Sequence, residues 1–201
     1  MLKSFDVPDA SLVVRLGRLL REARGFTALE LLLTVGIMGV VSSIAVIQIQ
    51  QVQPVLKGDG AMRAVMSQLN IARELAITQR QYMRVTFTSP NTITIMKETS
   101  PTTTATLSVV PFEGGVQFAL VTGLPDTPDA FGKSAAIDFG SVTNVKFAPD
   151  GTLVNQDGVW ANGTVFLALA QQSRSARAVT VLGSTGRIRG YRWTGNAWVL
   201  K

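Results

Sequence analysis

The 26 residues from Leu31 to Leu56 carry no charged side chain, and this constrains the chain more than any other feature. As an α-helix the run would be about 39 Å long at about 1.5 Å per residue, enough to cross a bilayer hydrocarbon core of about 30 Å. Arg15, Arg18, Arg21 and Arg24 precede the run closely, and the first cation after it is Lys57. The excess of positive charge on the N-terminal side predicts that end in the cytoplasm and the rest of the chain across the membrane.

The order of residues entering the run is unlike that of an ordinary secretory signal, in which a cleavage site follows the apolar region. Here Arg24-Gly25 comes first, the apolar run opens at Phe26, and Glu30 stands five residues in. A carboxylate costs about 2.5–3.5 kcal/mol at the centre of a membrane helix and less near its end, so its charge calls for a partner. The stretch Arg24-Gly25-Phe26-Thr27-Ala28-Leu29-Glu30-Leu31-Leu32 resembles the class III signal of type IV pilins and type II secretion pseudopilins. That resemblance implies cleavage between Gly25 and Phe26 by a prepilin peptidase, N-methylation at Phe26, and a mature chain of residues 26–201. It also implies that Glu30 pairs with the terminal ammonium of a neighbouring subunit in a filament. The location implied is the inner membrane, single-pass, with the C-terminal domain periplasmic. The leader departs from the family in its length. Residues 12–21 within it read as a basic amphipathic helix suited to an anionic membrane surface.

Pro54 and Lys57-Gly58-Asp59-Gly60 predict a kink or loosening of the helix after the span. Over 61–81, Met62, Val65, Met66, Leu69, Ala72, Leu75, Ala76 and Gln79 follow helical spacing and form one stripe. The stretch Leu69-Asn70-Ile71-Ala72-Arg73-Glu74-Leu75-Ala76-Ile77 resembles the end of the long helix in the GspH/FimT branch of the same superfamily. From residue 82 the pattern changes to short β runs separated by Gly, Pro, Asn and Asp. The expected strands are 82–88, 92–97, 104–111, 116–120, 136–139, 145–147, 152–154, 164–170, 178–182, 187–193 and 197–200. Phe147-Ala148-Pro149-Asp150-Gly151, followed by Gly163-Thr164, is similar to a further element of that branch. The fold class expected is α+β: a long N-terminal α-helix, transmembrane in its first half, packed on a C-terminal antiparallel β-domain built as a sandwich or two small sheets. The domain plan is a leader at 1–25, the membrane helix at 26–56, its soluble half at 57–81 and the β-domain at 82–201.

The 201 residues include no cysteine and no histidine. Thiolate nucleophiles, Ser-His-Asp and Cys-His machinery and the usual zinc ligand sets are thereby excluded. The 13 acidic residues are scattered rather than clustered, so no enzyme activity, cofactor or metal is expected. An anchored exported enzyme or binding module is the remote alternative. Asp126 and Asp129 sit in a Pro-containing loop, where turn formation competes with calcium binding. Trp160, Trp193 and Trp198 are the residues a polysaccharide-binding surface would use.

Charge is divided unevenly: residues 85–157 carry a net −4, whereas 158–201 carry +6 with no acid. Within the basic segment, Gly186-Arg187-Ile188-Arg189-Gly190-Tyr191-Arg192-Trp193 alternates, and an extended strand puts Arg187, Arg189, Tyr191 and Trp193 on one face. Guanidiniums beside aromatic rings suit phosphates and bases, with Arg192 on the same strand and Arg174 and Arg177 in the loop before the preceding strand adding to the field. Gly186-Arg187-Ile188-Arg189 also resembles the GRxR element of FimT-type minor pilins, which implies double-stranded DNA as a partner. Two functions follow from the resemblance. One is a structural minor pilin or pseudopilin in a membrane-anchored filament, with other pilins as partners. The alternative is a DNA-binding minor pilin for DNA uptake.

Overall fold

A computed structural model of the chain describes residues 26–100, 103–140 and 144–201, so the leader and Gly25 lie outside the described residues. Helix α1 runs from Ala28 to Gln79. It starts at Thr27, whose hydroxyl accepts the Glu30 backbone N–H at 3.2 Å. Thr27 and Glu30 are thus spaced as in a capping box. Its other end is closed by Arg80, at φ 52°, with the Gln81 N–H donating to the Ala76 carbonyl at 3.2 Å. That is the hydrogen bond of a Schellman cap, with arginine at the position that usually holds glycine.

The chain forms two compact units, one reaching Gln48 and one spanning Ile49–Lys201. In the first, Ala28–Val46 has a mean hydropathy of 2.1 and none of it is buried within the protein, as suits a helix whose apolar sides face lipid. In the second, eleven strands follow α1 among the described residues. They are β1 Met83–Thr88, β2 Thr92–Ser100, β3 Thr103–Pro111, β4 Gln117–Phe118, β5 Ile137–Asp138, β6 Val145–Phe147, β7 Leu153–Val154, β8 Gly163–Ala168, β9 Arg177–Leu182, β10 Arg187–Trp193 and β11 Trp198–Leu200. One sheet has the order β3-β2-β1-β6-β7, the other β11-β10-β9-β8-β4, with β5 also on β8. All the pairings are antiparallel.

This is the α+β architecture expected, in its two-sheet form. The expected strands at 116–120, 136–139 and 152–154 are shorter than their apolar runs suggested. Val116 is buried outside any strand, because a chain crossing between sheets can bury a side chain without joining a ladder.

One core cluster joins the helix stripe (Met62, Val65, Leu69, Ala72, Ala76) to residues of both sheets, including Val85, Ile93, Ile95, Phe147, Val165, Leu167, Val179 and Val181. Gln79, the last residue of the expected stripe, is exposed. A second cluster covers the opposite face of the second sheet. It unites Phe166, Ala168, Ala178, Tyr191, Trp193 and Trp198 with Val121, and Ala119, Leu120 and Leu124 pack against it. Every residue of β8 is therefore buried, as expected of a strand covered on both faces.

The expected loosening at Lys57–Gly60 does not occur: α1 continues through Pro54 and all four residues. In isolation Gly costs a helix about 1 kcal/mol relative to Ala. Here Gly58 serves a close approach. A Cβ at this position would lie 2.5 Å from the Ser175 carbonyl oxygen and 3.3 Å from the Arg177 guanidinium carbon. Tertiary packing overrides propensity, and the glycine lets the helix come down on the second sheet.

Candidate functional site

Arg177 is the first residue of β9 and is fully buried. Its Nε donates to Asp59 Oδ1 at 2.6 Å, and its Nη2 to the Val55 carbonyl at 2.9 Å. Its Nη1 donates to the carbonyls of Arg174 and Ala176, at 3.1 and 2.8 Å. A guanidinium taken out of water needs its donors filled in this way. Burial pushes its pKa down, and the Asp59 carboxylate opposes that shift. From its position in the chain, Arg177 was expected in a loop beside Arg174, as part of a cationic surface. The structure corrects this: Arg177 is an internal rivet between α1 and the second sheet, while Arg174 lies exposed on a one-turn 3-10 helix at Ser173–Ser175. Asp59 gave little warning of this role beyond being a lone acid in a Gly-flanked segment.

The expected face of β10 is also redistributed. Arg187, Arg189, Tyr191 and Trp193 do share a face, but loop 119–133 covers most of it. The loop delivers Asp129, whose carboxylate accepts from Thr180 Oγ1 (2.7 Å), Tyr191 Oη (2.9 Å) and Arg189 Nη1 (2.8 Å). Burial alone would raise the Asp129 pKa, but the hydrogen bonds from Thr180, Tyr191 and Arg189 hold it below the ordinary aspartate value. Trp198 Nε1 donates to the Pro125 carbonyl of the same loop at 2.9 Å. Trp193 and Trp198 pack edge to face at 5.4 Å in the second core cluster. Tyr191 and Trp193 are therefore core residues, Arg189 is ion-paired, and Arg187 alone of the four is exposed. Trp160, at 66% exposure, is the one tryptophan left at the surface. Asp126 accepts the backbone N–H groups of Thr127 and Gly132 and shapes its own loop. Among the described residues no group of three or more acidic side chains converges as a metal site would need.

Because the Asp129 pKa is lower in the folded chain than in the unfolded one, its stabilisation is fully present above the unfolded value of about 3.9 and is lost as pH falls through the folded value. Asp129→Asn should cost about 1–2 kcal/mol near neutrality. It should also flatten the fall in stability below about pH 4. Denaturant midpoints measured from pH 7 to pH 3 check both expectations, and parallel acid curves for the two proteins would contradict them.

Three short sequence elements that lie far apart meet at Arg73 of α1. Its Nε donates to the Gly151 carbonyl at 3.1 Å and its Nη2 to the Thr185 carbonyl at 3.2 Å. The Leu69–Ile77, Phe147–Gly151 and Gly186–Arg189 segments are thus one structural node. Gly186 sits there at φ 62°, and a Cβ on it would stand 2.0 Å from the Gly151 oxygen. The glycine that opens the arginine motif is accounted for by this turn.

In the first unit, Phe26 is 77% exposed and Glu30 lies in the first turn of α1. Gly25, after which cleavage is expected, lies outside the described residues.

An exposed apolar helical span, followed in the chain by a two-sheet domain with a helical segment riveted to it, defines a class: a β-domain preceded by an apolar N-terminal helix. Residues 61–186 match the family model described as type II transport protein GspH, and the chain belongs to that family. A solved structure similar to it is that of the minor pseudopilin EpsH from the type 2 secretion system of Vibrio cholerae. It has 15% sequence identity and a TM-score of 0.46, covering 70% of this chain and 99% of that one. No curated protein sequence matches.

Proposed function

We propose that this chain is a minor pseudopilin, a structural subunit of a type II secretion filament anchored in the inner membrane. The observation that carries the reading is the family match over residues 61–186 on a domain continuous with an apolar N-terminal helix. Prepilin peptidase would cut between Gly25 and Phe26 and methylate the new terminus. The exposed apolar sides of α1 would then pack against the helices of neighbouring subunits. Glu30 would meet the terminal ammonium of one of them, offsetting a carboxylate that is costly in a membrane. The work of the chain is positional, not catalytic: it presents the surface of the β-domain at one place in the filament.

Glu30 also occupies the third helical position after Thr27, which suits its charge to the positive end of the helix. The two roles are separable. Glu30→Ala is expected to leave cleavage and the β-domain intact but to reduce recovery of the subunit in sheared or cross-linked filaments at least tenfold. Glu30→Gln keeps a capping side chain and is expected to fail equally. Immunoblotting of processed protein and of filament fractions reads the two effects. Normal incorporation of either variant would overturn the assigned role, and normal export of secreted proteins in a strain lacking the gene would overturn the secretion reading.

A further inference from the structure

Trp160 is held out from the domain on a rigid hairpin. Asn155 Oδ1 accepts the backbone N–H groups of Asp157 and Val159, both at 2.9 Å. The Asn155 N–H donates to the Val159 carbonyl at 2.8 Å, and Trp160 pairs with Val154 in an isolated antiparallel bridge. These bonds fix Val159 and Trp160 in place while leaving them 61% and 66% exposed. An apolar pair so fixed loses little conformational freedom on docking, and tryptophan is enriched among the residues that anchor interfaces. Besides the ring, the hairpin offers a donor in the Trp160 indole N–H and an acceptor in the exposed Asp157 carboxylate.

A pocket of about 470 Å³ lies between α1 and the end of β3, with Gly60, Ala64, Pro111 and Phe112 in its apolar lining and Lys57 and Glu113 beside them. Volumes of this order hold a whole ring system. Neither Lys57 nor Glu113 has an ion pair or hydrogen bond among the described residues. The hairpin follows β7, at one edge of the first sheet, and Pro111 ends β3, at the other edge. Four strand spacings of about 4.8 Å, about 19 Å in all, separate the two edges, so the rigid hairpin cannot reach the pocket of its own chain.

We infer that Trp160 of one copy of this chain docks in the Lys57–Glu113 pocket of the next. Charge and hydrogen bonding match as well as shape. Asp157 meets Lys57, the indole N–H donates to Glu113, and the ring lies against Ala64 and Phe112. The contact is heterologous: each copy uses its hairpin on one neighbour and its pocket on another, so the contact propagates instead of closing as a two-fold pair. It deepens the filament reading, on which it rests for setting copies side by side.

The chain has no cysteine, so introduced thiols report the contact without background. Gln156→Cys marks the hairpin and Arg63→Cys the helix beside the pocket, and both positions are exposed. The full chain in neutral detergent is treated with a short bismaleimide. A mixture of the two single variants should give a mixed dimer, the double variant a ladder, and either single variant alone only the collisional yield. In the mixture, Trp160→Ala should lower the mixed-dimer yield by about tenfold or more, and Trp160→Phe should keep part of it. Gly60→Leu fills the pocket from a position with open space around its Cβ, and leucine is the better helix former. It should therefore block the contact without weakening the fold. Lys57→Glu should weaken the contact, and Lys57→Glu with Asp157→Lys should restore it. Equal cross-linking in single and mixed samples, or an undiminished yield in Trp160→Ala or Gly60→Leu, overturns the assignment. So does a mixed yield that never rises above that of the single variants, the result expected if a different protein fills the pocket. Export by a strain lacking the gene does not enter these readouts, so the filament reading and this contact fail separately.

Discussion

Arg177→Ala should lower the unfolding free energy by about 3–5 kcal/mol, the largest loss expected from any single side chain in this domain. The substitution leaves Asp59 without its cation, and its side chain is only 15% exposed. It also strips donors from the carbonyls of Val55, Arg174 and Ala176. The pair itself is worth less than the cost of breaking it, because each charge was desolvated to make it. Arg177→Met with Asp59→Ala should therefore be more stable than Arg177→Met alone, by about 1–3 kcal/mol of coupling. Urea denaturation of the full chain in a neutral detergent, followed by tryptophan fluorescence, measures the four corners of that cycle. Equal stability of the single and double variants would show that Asp59 is solvated well enough to stand alone, which its burial argues against.

Gly186→Ala is the second large effect. Two costs add at this position. The backbone is left-handed at φ 62°, worth about 1–2 kcal/mol against a residue with a Cβ. The new atom would also stand 2.0 Å from the Gly151 oxygen and 2.8 Å from Arg73 Nε, so the turn must move and the Arg73 hydrogen bonds must lengthen. A total of about 3–4 kcal/mol is expected. Gly195 provides the control, with φ 103° and open space within 4 Å of where its Cβ would stand. Gly195→Ala should cost only the backbone part, about 1–2 kcal/mol. The difference between the two midpoints isolates the steric share. If the two substitutions cost the same, the Gly151–Gly186 approach is softer than its distance implies.

These expectations bear on function through placement. The family reading assigns the domain a positional role, and the rivet at Arg177 and the node at Arg73 add to the apolar stripe in fastening it to its own helix. Loosening either should reduce incorporation before it abolishes folding, since a marginally stable domain loses a large share of its stability with about 3 kcal/mol.

Much of the architecture was legible in the order of residues. Periodicity placed the helix stripe from Met62 to Ala76, because one face of a 3.6-residue helix must recur at three and four residues. Alternation and turn residues placed every strand to within a few positions, with β1, β2, β6 and β10 starting or ending where the apolar pattern does. The uncharged run and the arginines before it were equally plain, since both depend only on side-chain type along the chain.

The fate of the arginines was not legible. Alternation says that Arg187, Arg189, Tyr191 and Trp193 share a face, but not whether that face meets water. A loop 60 residues earlier in the chain decides it, by bringing Asp129 to Arg189 and Pro125 to Trp198. Arg177 reads as surface charge until Asp59, 118 residues away, is seen beside it. Gly58 reads as a helix breaker until the Ser175 carbonyl is found against it. Local patterns report what a residue and its neighbours prefer, and those preferences are worth about a kilocalorie each. Burial of a charge or a close backbone approach is worth several times that, and its partner comes from wherever the fold happens to bring one. The sequence therefore determined the elements, their inward stripes and the anchor. Only the tertiary structure decided which cations became internal fasteners, as at Arg177, and which, at Arg187 and Arg174, stayed exposed.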